Sequence, residues 1–187
     1  MIRCNLSVLL AQRSLTVTQV SKETGISRTT LNALEKNYSQ GVQLSTINTL
    51  CSYLQTTPSE LLKYYPVDII WKYGFSFNSW SSGKIIISKN NKSTTFPIGF
   101  LTDIFTEFAG DESPRICGNA SLYVDLSQEK EEDTKYINSI FTNLPIEFKS
   151  DIEGFLLAEF HEFLLQEKSI FVSDDIDLNI EFGFEEL

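Results

Sequence analysis

Apolar residues recur at helical spacing through the first third of the chain and at strand spacing beyond it, and the change falls near Pro66. Leu6, Leu9 and Leu10, with Ile2 ahead of them, predict a first helix over residues 3–13. Thr16 and Gln19 have the spacing of a capping box, so a second helix begins there and runs to Gly25, where the chain needs a positive φ. Ser27 can cap a third helix almost at once. Val20, Ile26, Leu31 and Leu34 would then share one interior. Ser45 opens a fourth helix with Ile47, Leu50, Cys51 and Leu54 inward, and Thr57-Pro58-Ser59-Glu60 opens a fifth that Pro66 ends. Tyr64 and Tyr65 are expected to pack against the back of this bundle. The reading is an all-α unit of five helices over residues 1–66.

From residue 67 the chain predicts an α+β domain with an antiparallel sheet. Ile69 to Trp80 and Lys84 to Lys89 are rich in aromatic and β-branched residues, and Ser-Ser-Gly between them predicts a hairpin turn. Asn90-Asn91-Lys92 predicts a second turn, followed by a short strand ending at Pro97. Leu101 to Ala109 fits a short helix and Gly110 to Pro114 a loop, while Leu122, Val124 and Leu126 alternate as a half-buried strand. Glu129 to Asn143 predicts a charged helix with Tyr136, Ile137, Ile140 and Phe141 as its apolar stripe. The longest helix is expected over Ser150 to Glu167, with Ile152, Phe155, Leu156, Phe160, Phe163 and Leu164 inward. Leu178, Ile180, Phe182 and Phe184 finish as an alternating strand.

Charge divides along the same line. The chain of 187 residues has a net charge of −10, which by itself disfavours nucleic acid. Yet residues 1–66 hold six Lys or Arg against three Asp or Glu, whereas residues 101–187 hold five against 21. A weakly basic front therefore precedes a strongly acidic back, and nucleic-acid binding survives for the front alone. Cys4, Cys51 and Cys117 are far apart and lack CxxC spacing, which fits reduced thiols. No apolar run approaches the roughly 18 residues of a membrane span, and no signal peptide is visible, so a soluble cytoplasmic protein is expected.

Two helices joined by so short a turn as Gly25-Ile26-Ser27 must cross steeply, leaving the outer face of the second free to enter a groove. With Thr30-Leu31, Leu34-Glu35 and the later LSTINTLCSYL and TPSELL segments, residues 1–65 resemble the Cro/CI repressor-type helix-turn-helix family. The resemblance implies DNA binding by residues 27–36. Where that family often has Gln opening the first motif helix, this chain has Val17, beside which Thr18 offers a hydroxyl to a phosphate. Arg28, Thr29 and Asn32 are the candidates for base edges, since Arg can pair bidentately with guanine and Asn with adenine. Ser27, Thr30 and Lys36 suit phosphates. A double-stranded operator, read by a homodimer on two half-sites about 10 base pairs apart, is the expected partner.

Catalytic and metal constellations are weak, and neither an enzyme nor a cofactor is expected. The single histidine, His161, excludes a two-histidine zinc motif. Asp175, Asp177, Asn179 and Glu186 imitate a calcium loop, but Ile180 stands where that loop turns on Gly. Ser113 and Lys149 imitate a self-cleavage dyad, with Ala109-Gly110 too close to the Ser to be its cut site. The clustered carboxylates Glu129, Glu131, Glu132, Asp133, Asp174, Asp175 and Asp177 read either as a solubilising surface or as a phosphate mimic for a basic protein groove. In layout alone the chain is similar to anti-CRISPR Cas9 inhibitors that carry an N-terminal helix-turn-helix. The leading expectation is a transcriptional repressor of phage or mobile-element origin. Such a bifunctional Cas9 inhibitor is the alternative, and an antitoxin is a weaker third.

Overall fold

The computed structural model describes residues 1–108, 114–166, 171–172 and 176–183. The chain divides into two units, Met1–Pro66 and Val67–Leu187.

The first unit holds α1 (Leu6–Gln12), α2 (Val17–Thr24), α3 (Arg28–Glu35), α4 (Leu44–Leu54) and α5 (Pro58–Leu61), flanked by two short strands, β1 (Ile2–Cys4) and β2 (Leu62–Tyr64). Leu6, Leu9, Leu10, Val20, Leu31, Leu34, Ile47, Leu50, Leu54 and Leu61 form its core. The strands correct the all-α expectation. Ile2, expected on the first helix, is 72% exposed and pairs with Tyr64 across an antiparallel ladder. The fifth helix is a single turn that gives way to β2 at Leu62, before Pro66. Its Thr57–Glu60 capping box forms as the spacing predicts, whereas the fourth helix starts at Leu44, with Gln43 and not Ser45 as its cap. Tyr64 lies exposed instead of packing on the bundle.

In the second unit β3 (Asp68–Lys72), β4 (Trp80–Lys89), β5 (Lys92–Phe108) and β6 (Pro114–Asp125) form an antiparallel meander. Helices α6 (Glu131–Asn143) and α7 (Ile146–Gln166) follow, then β7 (Phe171–Val172) and β8 (Asp177–Gly183), both parallel to β6. The sheet is therefore mixed, and a wholly antiparallel one is ruled out. The physical reason is the connection: two helices between β6 and β8 return the chain to the start of the sheet, as parallel neighbours require.

Three further expectations give way. Ser81-Ser82-Gly83 is not a turn but a ladder segment of β4 opposite Phe100, Gly99 and Ile98. The bend lies at residues 73–79, where Tyr73 and Phe75 leave the ladder to pack on Phe155, Phe160 and Phe163 of α7. Asn78 pins that bend by accepting from Ile104 N at 2.6 Å and donating to Ile104 O at 3.0 Å. Residues 101–108 are strand, not helix, because Thr102 and Ile104 are buried while Asp103 and Phe105 are exposed, a period of two. β5 also runs through Pro97, which pairs with Lys84 on one side only; on the other its carbonyl accepts from Gln128 Nε2 at 2.8 Å. The predicted turn at Asn90-Asn91 forms, both residues having positive φ.

The sheet curls strongly. In the path β3-β4-β5-β6-β8 a flat sheet would hold the outer strands about 19 Å apart. The rings of Trp71 on β3 and Phe182 on β8 are nevertheless only 6.1 Å apart. Phe148, Ile152, Leu156, Phe160 and Leu164 of α7 are buried within this unit, whereas Phe155, expected inward, is 46% exposed. Of α6, Ile137, Ile140 and Phe141 are buried as predicted. Gly183 fits beneath the Tyr123 ring, which leaves no room for a Cβ. Ala109, Gly110, Ser113, Glu167, Asp174, Asp175, Phe184 and Glu186, which carried expectations, lie outside the described residues, as does the side chain of Cys117.

Candidate nucleic-acid interface

The motif of α2 and α3 is set by backbone chemistry before any packing. Thr16 Oγ1 accepts from Gln19 N at 3.2 Å while Gln19 Oε1 accepts from Thr16 N at 3.1 Å, satisfying two orphan donors of the first turn. Gly25, at φ 75°, ends α2 in the left-handed region. Side chains that pattern reasoning passed over then wire the turn. Ser21 Oγ donates to Ile26 O at 2.7 Å, Thr24 Oγ1 donates to Val20 O at 2.6 Å, and Ile26 N donates to Thr24 Oγ1 at 3.3 Å. Their sequence signal was available: hydroxyls in the last turn of a helix before a Gly often bond locally.

Helix α3 presents two faces. Leu31 and Leu34 are buried in the core, while Ser27, Arg28, Thr29, Asn32 and Lys36 are exposed. No described group hydrogen-bonds to the side chains of Arg28 or Asn32, so both keep their full donor capacity for a ligand. Ser27 is differently occupied. Its Oγ accepts from Thr30 N at 3.1 Å and lies 2.8 Å from Thr30 Oγ1, so its first duty is capping α3. Thr30 is half-buried beside it. Val17 packs against the core, and Thr18 next to it is exposed at the start of α2.

The far end of α3 is held by Asn37, a residue sequence reasoning did not single out. At φ 58° it leaves the helix in the left-handed region. Its amide then acts as a strand partner for buried Cys4, Oδ1 accepting from Cys4 N at 2.6 Å and Nδ2 donating to Cys4 O at 3.1 Å. Replacing Asn37 by Gly keeps the φ but leaves two strand groups unpaired, so a loss of about 2 kcal/mol is expected in thermal or denaturant unfolding. Replacement by Ala should cost about 1 kcal/mol more, for the left-handed conformation. Burial pushes the Cys4 thiol above its ordinary range, and Cys4 and Cys51 are both free.

The acidic candidates separate. Glu129, Glu131, Glu132 and Asp133 gather at the start of α6, where carboxylates favour the helix dipole, and Glu131 pairs with Lys135. Asp177 lies opposite Asn119 at the far end of β8 from Gly183, which pairs with Asp125. Six residues of strand place it roughly 20 Å from that end. Among the described residues no group of three or more His, Cys, Asp or Glu could hold a metal, and no helix is long and apolar enough to cross a membrane.

Known proteins match this first unit. The family model described as a Cro/C1-type HTH DNA-binding domain matches residues 5–67. The uncharacterized HTH-type transcriptional regulator YozG of Bacillus subtilis (strain 168) is 33% identical over 60 residues, which are 32% of this chain and 71% of that protein. A crystal structure of a Bacteroides fragilis protein, provisionally described as DNA-binding, is 24% identical, covers 34% of this chain and 100% of its own, and superposes with a TM-score of 0.31. The layout likeness to Cas9 inhibitors finds no support in these matches. Through its first unit, the chain belongs to the Cro/C1-type helix-turn-helix DNA-binding family.

Proposed function

We propose that the chain is a sequence-specific transcriptional repressor that reads a short operator with α3. The observation that carries this reading is the division of one short helix into a face locked in the core by Leu31 and Leu34 and an exposed face bearing Arg28, Thr29 and Asn32, whose side chains make no hydrogen bond among the described residues. Arg28, Thr29 and Asn32 contact base edges; Lys36 and Thr18 contact phosphates, joined by the capping hydroxyls of Ser27 and Thr30. A net charge of +3 on the first unit, six cations against three anions, limits what one copy gains from phosphates, so two copies act on paired half-sites. The acidic surface around Glu129, Glu131, Glu132 and Asp133 is the side offered to a protein partner. Such a protein works in the cytoplasm, without a cofactor and without catalysis.

The test is a promoter reporter carrying duplexes selected by the protein from a random pool. Expression of the chain should lower reporter output, and Arg28→Ala should restore it. Unchanged or increased output would overturn the repressor reading.

A further inference from the structure

A cavity of about 200 Å³ opens between α6, α7 and β8 in the second unit, and its walls differ in chemistry. Phe141 and Phe182, with ring centroids 5.7 Å apart, supply an apolar wall that Ile152 extends. Lys149 and Glu153, one turn apart on α7 and both half-buried, line it as well, with Asn138 and Thr142 of α6. Lys placed four residues before Glu is the poorer orientation for a helical ion pair. Accordingly neither side chain makes an ion pair or hydrogen bond among the described residues. Behind the aromatic wall stands Trp71, 9% exposed, its ring 6.1 Å from both Phe141 and Phe182. Its indole N–H has no hydrogen-bond partner among the described residues, a cost that buried indoles ordinarily avoid.

A cation and an anion about 5–6 Å apart at their Cβ atoms, over an apolar floor, form a complement for a small zwitterion. Ordinary ligand sites enclose roughly 300–1,000 Å³, so a nucleotide-sized molecule is too large for this cavity. We propose that it is an effector site for a free α-amino acid with an aromatic or branched apolar side chain. The carboxylate sits at Lys149, the ammonium at Glu153, and the side chain lies against Phe141 and Phe182. Binding is measured without DNA, so its outcome is separate from the fate of the repressor reading.

The chain has two tryptophans, and Trp80 lies 56% exposed on β4, so a full-length Trp80→Phe protein leaves Trp71 as the sole indole reporter. Titration with L-phenylalanine and L-leucine should give a saturable emission change for at least one of them, matched by calorimetry. Lys149→Met and Glu153→Gln should each weaken that binding at least about tenfold while leaving the melting temperature within a few degrees. 3-Phenylpropionate and phenethylamine, each lacking one charge, should bind correspondingly less well. No saturation by about 10 mM with either amino acid would overturn the proposal, that concentration being tenfold above a weak millimolar site. So would affinity unchanged by both substitutions, or 3-phenylpropionate binding as tightly as L-phenylalanine.

Discussion

The Arg28→Ala, Asn32→Ala double variant is expected to lose sequence-specific duplex binding while unfolding at the temperature of the parent. Both side chains are exposed and make no hydrogen bond among the described residues, so their removal leaves the core of Leu31 and Leu34 untouched. Each bidentate contact to a base edge contributes about 1–3 kcal/mol of discrimination, which is roughly 5- to 150-fold in affinity per residue. Residual non-specific binding should remain through Lys36 and Thr18, weaker at higher salt, with a slope of about one per copy from the single lysine. The measurement is fluorescence anisotropy against a selected duplex and a scrambled one at fixed salt. Lys36→Ala should by contrast weaken binding to both duplexes alike, because a phosphate contact carries no sequence information.

Leu31→Ala is expected to abolish binding by the opposite route. Leu31 is 0% exposed on the inner face of α3, and truncation of such a residue costs about 2–5 kcal/mol. A unit of 66 residues has a total stability of roughly 3–10 kcal/mol, so the loss is a large share of what holds it folded. The melting transition of the first unit should fall by about 10 °C or more. Helical circular dichroism separates this variant from the Arg28 and Asn32 pair, which should lose binding with the spectrum intact. Leu34→Ala should resemble Leu31→Ala.

The first unit was legible in the sequence wherever a local chemical device fixed it. The Thr16–Gln19 and Thr57–Glu60 boxes and the left-handed turn at Gly25 all depend on residues within a few positions of one another. What escaped was the long-range pairing of Ile2 with Tyr64, which spans nearly the whole unit, and with it the amide of Asn37 bound to Cys4, 33 residues away. The second unit was harder because its signals were ambiguous in period. Leu101, Phe105 and Phe108 fit a helix as well as Thr102 and Ile104 fit a strand, and only pairing with β6 decides between them. Aromatic residues 71–77 look continuous in sequence, yet Trp71 belongs to β3 whereas Tyr73 and Phe75 turn away onto α7. The strand at Leu178 to Phe182 was visible by alternation, but its direction follows from α6 and α7 lying between it and β6. The placement of Lys149 and Glu153 needed the fold as well, since only packing sets them beside Phe182.

Docking of the outer face of α3 on duplex DNA can be mapped residue by residue from amide chemical-shift changes in the full chain on addition of a selected duplex. The largest changes are expected at Ser27 to Lys36 and at Thr18, with little change around Glu131 to Asp133. Shifts confined to the second unit, or an α3 that does not respond while the protein binds, would contradict it.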